Sequence, residues 1–204
     1  FLAAYGMNDY TEENRNPDSW EGWYWGAKHM WGMDWMVKQT PTANCFKDIC
    51  ENSQAVLFWG CDVLTASATN TGMMSARICA FWRKLGKKAI YVCPNVNYAG
   101  AVYADKWIPV LPNTDTALQL AIAYVWITEG LYDEEYVDTH SVGFENFMYY
   151  VLGGEDGVAK TPKWAEEKCG VPSRQIKALA RYWAKNNVSI AHNNGGGFIR
   201  SAFA

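Results

Sequence analysis

The sequence predicts an α/β fold, with a mostly parallel sheet flanked by helices. Three observations carry that expectation. Short, continuously apolar runs end in small or polar residues, as strands buried on both faces do. From residue 51 onward these runs alternate with longer segments of helical spacing. Glycines fall just past the helical segments, where a left-handed residue closes a helix. Strands taken in turn with helices make βαβ units, and repeated units make a Rossmann-like, doubly wound sheet.

Residues 1–45 lack clean periodicity and are rich in Asn, Asp, Gly, Trp and Tyr, which reads as loops around one short helix near Gly22 to Lys28. Ala55-Val56-Leu57-Phe58-Trp59, closed by Gly60, is the first strand. Thr69 to Leu85 repeats apolar residues at helical spacing (Met73, Met74, Ala76, Cys79, Ala80, Phe81, Trp82) and stops at Gly86. Ala89-Ile90-Tyr91-Val92 is the second strand, ended by Cys93-Pro94-Asn95. A short helix fits Tyr98 to Ala104, and Lys106 to Leu111 makes a third strand bounded by Pro112. Thr114-Asp115 caps a long helix that runs to Glu129 and stops at Gly130. Shorter helices follow at Asp133–Thr139 and Phe144–Leu152, then a turn at Gly153-Gly154-Glu155-Asp156-Gly157. Helices over Pro162–Cys169 and Ser173–Asn186 lead to a fourth strand, Val188–Ala191, which runs into His192-Asn193-Asn194 and three glycines. The organisation is therefore a loop-rich segment over 1–50, an α/β unit over 51–152 and a continuation over 153–204.

Composition narrows the function classes. With 204 residues, 50% hydrophobic and 19% charged, the chain can bury a substantial core, which excludes disorder, collagen-like repeats and a small disulfide scaffold. Its net charge of −3, with no basic run longer than Lys87-Lys88, argues against nucleic acid or an anionic membrane as partner. No stretch of about 18 apolar residues is present, so no membrane span is expected. The chain opens on Phe1 and stops in a Gly-rich loop, which reads as an internal excerpt of a longer polypeptide. Cys45, Cys50, Cys61, Cys79, Cys93 and Cys169 are scattered without a C-x-x-C pair, so they read as reduced, mostly buried thiols rather than zinc or cluster ligands. A cytoplasmic location follows, unless an upstream leader exports the folded protein.

In open α/β sheets ligands lie at the carboxyl ends of the strands. Four such ends are visible: Gly60-Cys61-Asp62, Cys93-Pro94-Asn95-Val96-Asn97, Pro112-Asn113-Thr114-Asp115 and His192-Asn193-Asn194-Gly195-Gly196-Gly197. A nucleotide suits that pattern, yet neither a G-x-G-x-x-G nor a P-loop is present. As turn residues alone they carry no chemistry.

Three phrases carry a resemblance: Ala55 to Gly60, Gly86-Lys87-Lys88-Ala89-Ile90-Tyr91-Val92-Cys93-Pro94, and Ala104-Asp105-Lys106-Trp107 through Pro112-Asn113-Thr114-Asp115-Thr116-Ala117-Leu118. In order, spacing and strand-end placement they resemble the nucleotide-binding domain of the dimethyl sulfoxide reductase family of molybdopterin oxidoreductases, whose phrases read approximately WGsNp, GaKiivIDPr and ADxWlpirPGTDxAL. The resemblance implies part of a larger multidomain catalytic subunit that binds a bis(molybdopterin guanine dinucleotide) with molybdenum, tungsten being possible. It implies that Trp59, Gly60, Cys61, Asp62, Cys93, Asn95, Pro112, Asn113, Thr114 and Asp115 surround the dinucleotide. Asp115 would accept from guanine N1 and N2, since a carboxylate is acceptor-only and bidentate. Gly60 to Asp62 would approach the pyrophosphate, and Cys93 to Asn97 the ribose. The chain departs from the family phrases at Cys61, Cys93 and Asn113.

The tryptophans Trp20, Trp23, Trp25, Trp31 and Trp35 open a second resemblance. The residues Asn16-Pro17-Asp18-Ser19-Trp20-Glu21-Gly22-Trp23 stand where this family places its metal ligand, and their wording is similar to the pyrogallol-phloroglucinol transhydroxylases and catechol dehydroxylases of anaerobic bacteria. That implies Ser19 as metal ligand, Asp18 as acid/base beside substrate hydroxyls and Trp20 as a wall for an aromatic ring. It further implies hydroxyl transfer between phenols or reductive removal of a catechol hydroxyl, with an iron–sulfur partner subunit for electrons. Oxo transfer from a small oxyanion, sulfoxide or N-oxide is the alternative, and a non-redox nucleotide-binding module a second one. From the residues alone, Ser19 is equally a helix N-cap and the tryptophans domain packing. His29 fits a helix face, with a substrate-side proton donor as the alternative, His140 fits a surface position, and His192 stands at a strand end near the expected cofactor.

Overall fold

A computed structural model of the chain describes residues 20–32, 42–64 and 74–192. Two helices, α1 (Trp20–Trp31) and α2 (Thr42–Asn52), precede the first strand β1 (Ala55–Trp59). Then come α3 (Met74–Lys84), β2 (Lys88–Val92), α4 (Tyr98–Tyr103), β3 (Lys106–Ile108) and α5 (Asp115–Thr128). Four further helices, α6 (Glu134–His140), α7 (Phe144–Val151), α8 (Pro162–Cys169) and α9 (Ser173–Lys185), lead to β4 (Val188–His192).

The four strands form one parallel sheet in the order β3-β2-β1-β4. β1 is central, and all five of its residues are buried. Side chains alternate across a strand, so Leu57 and Trp59 face one core while Val56 and Phe58 face the other. The first core holds α5, α8 and α9 through Leu118, Ala121, Ile122, Ala165, Cys169, Ile176 and Ala180. The second holds α3 and α4 through Cys79, Trp82 and Ala99. Helices on both faces explain why the strands read as unbroken apolar runs. The stretch after residue 153 supplies α8, α9 and the edge strand β4 to this same sheet.

Helix ends follow from local chemistry. Thr161 Oγ1 accepts from Trp164 N at 3.1 Å, with Pro162 at the first helical position, and so starts α8. Gly170 ends it at φ 74°. Trp126 of α5 donates its indole N–H to Ala180 O at 2.8 Å and meets Trp183 edge-on, which locks α5 to α9.

Two elements differ from expectation. α2 was expected as loop, because its apolar face is only Phe46, Ile49 and Cys50 among polar residues. Those residues recur at helical spacing, and the helix is held by packing: Ile49 and Cys50 on the α3-side core and Phe46 on Trp82 at 6.2 Å. β3 ends at Ile108 rather than Leu111, since Pro109 has no N–H for the ladder. The chain stays anchored, with Val110 in the core and Leu111 N donating to Cys169 O at 3.0 Å. Residues 65–73, part of the expected helix over Thr69 to Leu85, lie outside the described residues.

Asp105, in the third phrase, sits away from the strand carboxyl ends. Its carboxylate accepts from Ala89 N at 2.7 Å and pairs with Arg83 of α3, tying that helix to the starts of β2 and β3. This motif residue therefore holds the fold.

Candidate cofactor site

The loops after β1, β2 and β3 converge on a cleft of about 330 Å³. Gly60, Asp62, Cys93, Asn95, Pro112, Asn113 and Asp115 line it, with Val92, Pro94, Asn97 and Val110. Trp59, Cys61 and Thr114 do not. Cys61 turns into the α3-side core, and Trp59 into the α5-side core.

Each loop is fixed by its own hydrogen bonds. Gly60 N donates to Val92 O at 2.9 Å, which carries the β1–β2 ladder one residue further, and φ 60° there turns the chain. That left-handed geometry suits glycine. Asp62 Oδ1 accepts from Leu64 N at 3.0 Å and closes the following turn. In the second loop, Cys93 O accepts the Trp107 indole N–H at 3.0 Å, and the Cys93 thiol donates to Asn95 O at 3.1 Å. Asn97 stitches the first two loops together. Its Nδ2 donates to Cys61 O at 3.4 Å, while its Oδ1 accepts from Gly100 N at 2.7 Å as the N-cap of α4. Sequence reasoning placed Asn97 near the ribose but not among the site residues. An Asn three residues before Gly100 at a helix start was the available signal.

The third loop ends in the buried carboxylate. Thr114 N and Oγ1 both donate to Leu111 O, at 3.2 and 2.7 Å, so the Thr114 hydroxyl closes the turn instead of capping α5. Asn113 has φ 62° and is the only non-glycine with positive φ among the described residues. This is where the family phrase carries glycine, and Asn tolerates the left-handed region better than other side chains. Asn113→Val should accordingly cost about 1–3 kcal/mol of stability, while Asn113→Gly should stay within about 1 kcal/mol of the parent. Urea unfolding of the two variants checks this, and equal midpoints for Val and Gly would remove the backbone argument.

Asp115 is the first residue of α5 and only 5% exposed. Its Oδ1 accepts the Trp59 indole N–H at 2.8 Å. Burial lifts its carboxyl above the ordinary range, and the hydrogen bonds from Trp59 and from its own amide pull it part of the way back. A helix start also favours negative charge there. A buried, acceptor-only carboxylate facing a cleft suits a ligand edge that presents adjacent N–H donors.

The thiols at the departures from the family phrases are neutral. Burial, with Asp62 adding to it, pushes Cys61 up to about 11, and burial raises Cys93. Neither is a thiolate near neutral pH, so they act as small polar packing groups. Cys79, Cys93 and Cys169 are buried with Cys61, while Cys45 is exposed, and all six cysteines are free thiols.

Asp18 and Ser19, expected at the metal, lie outside the described residues, and Trp20 opens α1. His29 is exposed on α1; His140 is exposed and stacks on Tyr136. His192 ends β4, and the glycines after it lie outside the described residues. Among the described residues no group of three His, Cys, Asp or Glu side chains could hold a metal ion, and no helix is long and apolar enough to cross a membrane.

A family model described as molybdopterin oxidoreductase matches residues 5–195. The chain belongs to the molybdopterin oxidoreductase family. Among its relatives is the pyrogallol hydroxytransferase large subunit of Pelobacter acidigallici, 41% identical over 198 residues, 97% of this chain and 23% of that protein. Dimethyl sulfoxide reductase DmsA of Haemophilus influenzae is 33% identical over 169 residues, 76% of this chain and 20% of the relative. The solved structure of acetylene hydratase from Pelobacter acetylenicus superposes with a TM-score of 0.58 at 27% identity, covering 71% of this chain and 19% of that one. The chain thus spans about a quarter or less of the family members it matches. Its sheet and cleft are one part of a larger α/β subunit architecture of this family.

Proposed function

We propose that this chain is part of the catalytic subunit of a molybdenum or tungsten enzyme that acts on polyhydroxylated aromatics, by hydroxyl transfer or by reductive removal of a catechol hydroxyl. The observation that carries the reading is the extent of the hydroxytransferase match. It runs through 97% of the chain at 41% identity, whereas the sulfoxide reductase match covers 76% at 33%. The segment around Trp20, as well as the nucleotide-binding unit, is therefore shared with an enzyme whose name specifies pyrogallol.

The residues of the cleft fit a guanine dinucleotide form of the family's pterin cofactor. Asp115 presents an acceptor to guanine N–H groups from a buried, oriented position. Gly60 lets backbone approach phosphate closely, and Asn95 and Asn97 supply amides near the sugar. Asp62, itself an acceptor, faces hydroxyls better than phosphate. When bound, the cofactor supplies two-electron chemistry at its metal. This chain's own contribution at that end is Ser19 as a metal-holding hydroxyl, Asp18 to hold or release a phenolic proton, and Trp20 as a flat surface for the ring. An iron–sulfur partner subunit would carry electrons to and from the site.

The test is anaerobic incubation of the full-length holoenzyme with pyrogallol-type triphenols and with catechols, followed by product analysis. Hydroxyl transfer conserves the summed count of ring hydroxyls between donor and acceptor; dehydroxylation consumes an external reductant and lowers that count. Turnover of a sulfoxide or N-oxide without either phenol reaction would overturn the proposal.

A further inference from the structure

Trp59 was expected beside the cofactor, yet the structure places its ring elsewhere. It is the last residue of β1, 2% exposed, and packed with Leu57, Val92 and Leu118. The ring does not line the cleft. Its one polar atom is spoken for, because Nε1 donates to Asp115 Oδ1 at 2.8 Å across 56 residues of sequence. A buried indole N–H requires an acceptor and a buried carboxylate requires donors, so each group supplies the other's need.

We infer that Trp59 is a positioning residue: its indole N–H fixes the rotation of the Asp115 carboxylate toward the cleft, and the indole touches no part of the ligand. This rests on the reading of Asp115 as the guanine acceptor. The geometry gives the reason. Asp115 enters the cleft from the first turn of α5, where its side chain has rotational freedom about two torsions. A rigid ring seated in the sheet removes that freedom before the ligand arrives, so no ordering cost remains at binding. The titratable groups around Asp115 put no cation in the indole's place. Asp62 and Cys93 line the same cleft and Cys169 of α8 lies behind it; none is a cation. From β1 the donor is Trp59, and from α5 the backbone amide of Asp115 itself.

The consequence is a pH signature. Without the indole, burial acts on Asp115 with less to oppose it, so the carboxylate takes up a proton at higher pH and ceases to accept from guanine. The experiment measures GMP released by acid hydrolysis per full-length chain, after equilibration of the holoenzyme at pH values from about 5 to 8. Trp59→Phe should retain most of the GMP at the alkaline end and lose it on acidification at a pH about one unit above the parent, the shift expected for one hydrogen bond to a charged group. Asp115→Asn, which keeps an acceptor for the indole, should hold less GMP at every pH and show no acid edge. Leu57→Val, which loosens the same core without touching the N–H, should leave the edge where it is. Should Trp59→Phe not fold, Trp59→Met removes the same donor with a side chain that adapts to irregular gaps. An unmoved edge in the Trp59 variant, or a loss of equal proportion at every pH, would overturn the positioning role. A parent enzyme that releases no GMP would instead remove the guanine reading itself, and the inference with it.

Discussion

Ser19→Ala is expected to give a folded enzyme that no longer turns over substrate. The hydroxyl is proposed to bind the metal directly, where coordination to a highly charged ion stabilises the alkoxide at neutral pH. Alanine offers no donor atom to the metal. Removing a group that only supports a metal ligand costs about 10–100-fold, so that figure is a lower bound for removing the ligand. Steady-state kcat, with the unfolding midpoint measured alongside, checks the prediction. A Ser19→Ala enzyme with parental kcat would take Ser19 off the metal. Unchanged kcat with a lowered midpoint would leave it the helix N-cap that its place just before Trp20 also suits.

Asp115→Ala should reduce cofactor retention by the cost of leaving buried donors unpaired, about 1–3 kcal/mol, or roughly 5- to 150-fold in the binding constant. Two donors lose their acceptor in this variant, the guanine edge and the Trp59 indole, so its stability falls as well. Asp115→Asn separates the two effects, because the amide oxygen still serves the indole. The folded carboxyl of Asp115 lies above its ordinary value, chiefly through burial. Stability from this group is therefore present below the unfolded carboxyl range and is lost as pH rises through the folded value, in the cofactor-free protein. Guanine N–H donors favour the charged form and reverse that loss. Cofactor binding should accordingly stabilise the protein more at neutral pH than at acid pH, and Asp115→Ala should flatten the difference. Melting temperatures of cofactor-loaded and cofactor-free protein across pH check this. Parental cofactor content in Asp115→Ala would contradict the assignment.

Much of this architecture is legible in the residues. Ala55 to Trp59 and Ala89 to Val92 are apolar without alternation because helices cover both faces, and Gly86, Gly130 and Gly170 mark helix ends because all three adopt positive φ. The convergence of Gly60, Cys93, Pro112, Asn113 and Asp115 on one cleft follows from parallel strands delivering their carboxyl ends to the same edge. α2 was not legible, since three apolar residues give too weak a period until Trp82 and the neighbouring core are present to receive them. The role of Asp105 was hidden for a different reason: its partners, Arg83 and Ala89, are distant in sequence and say nothing until α3 and β2 are brought side by side. Trp59 and Asp115 present the same difficulty. Each reads as a ligand-facing residue by position, and only the indole's orientation shows that one serves the other.

The most direct test of the central claim is elemental and nucleotide analysis of the purified full-length protein, by metal mass spectrometry, pterin fluorescence after oxidation, and GMP release on acid hydrolysis. The account predicts molybdenum or tungsten, a fluorescent pterin and guanine nucleotide together in the same preparation. Protein that is folded and intact yet holds neither metal and yields no pterin or GMP would contradict it.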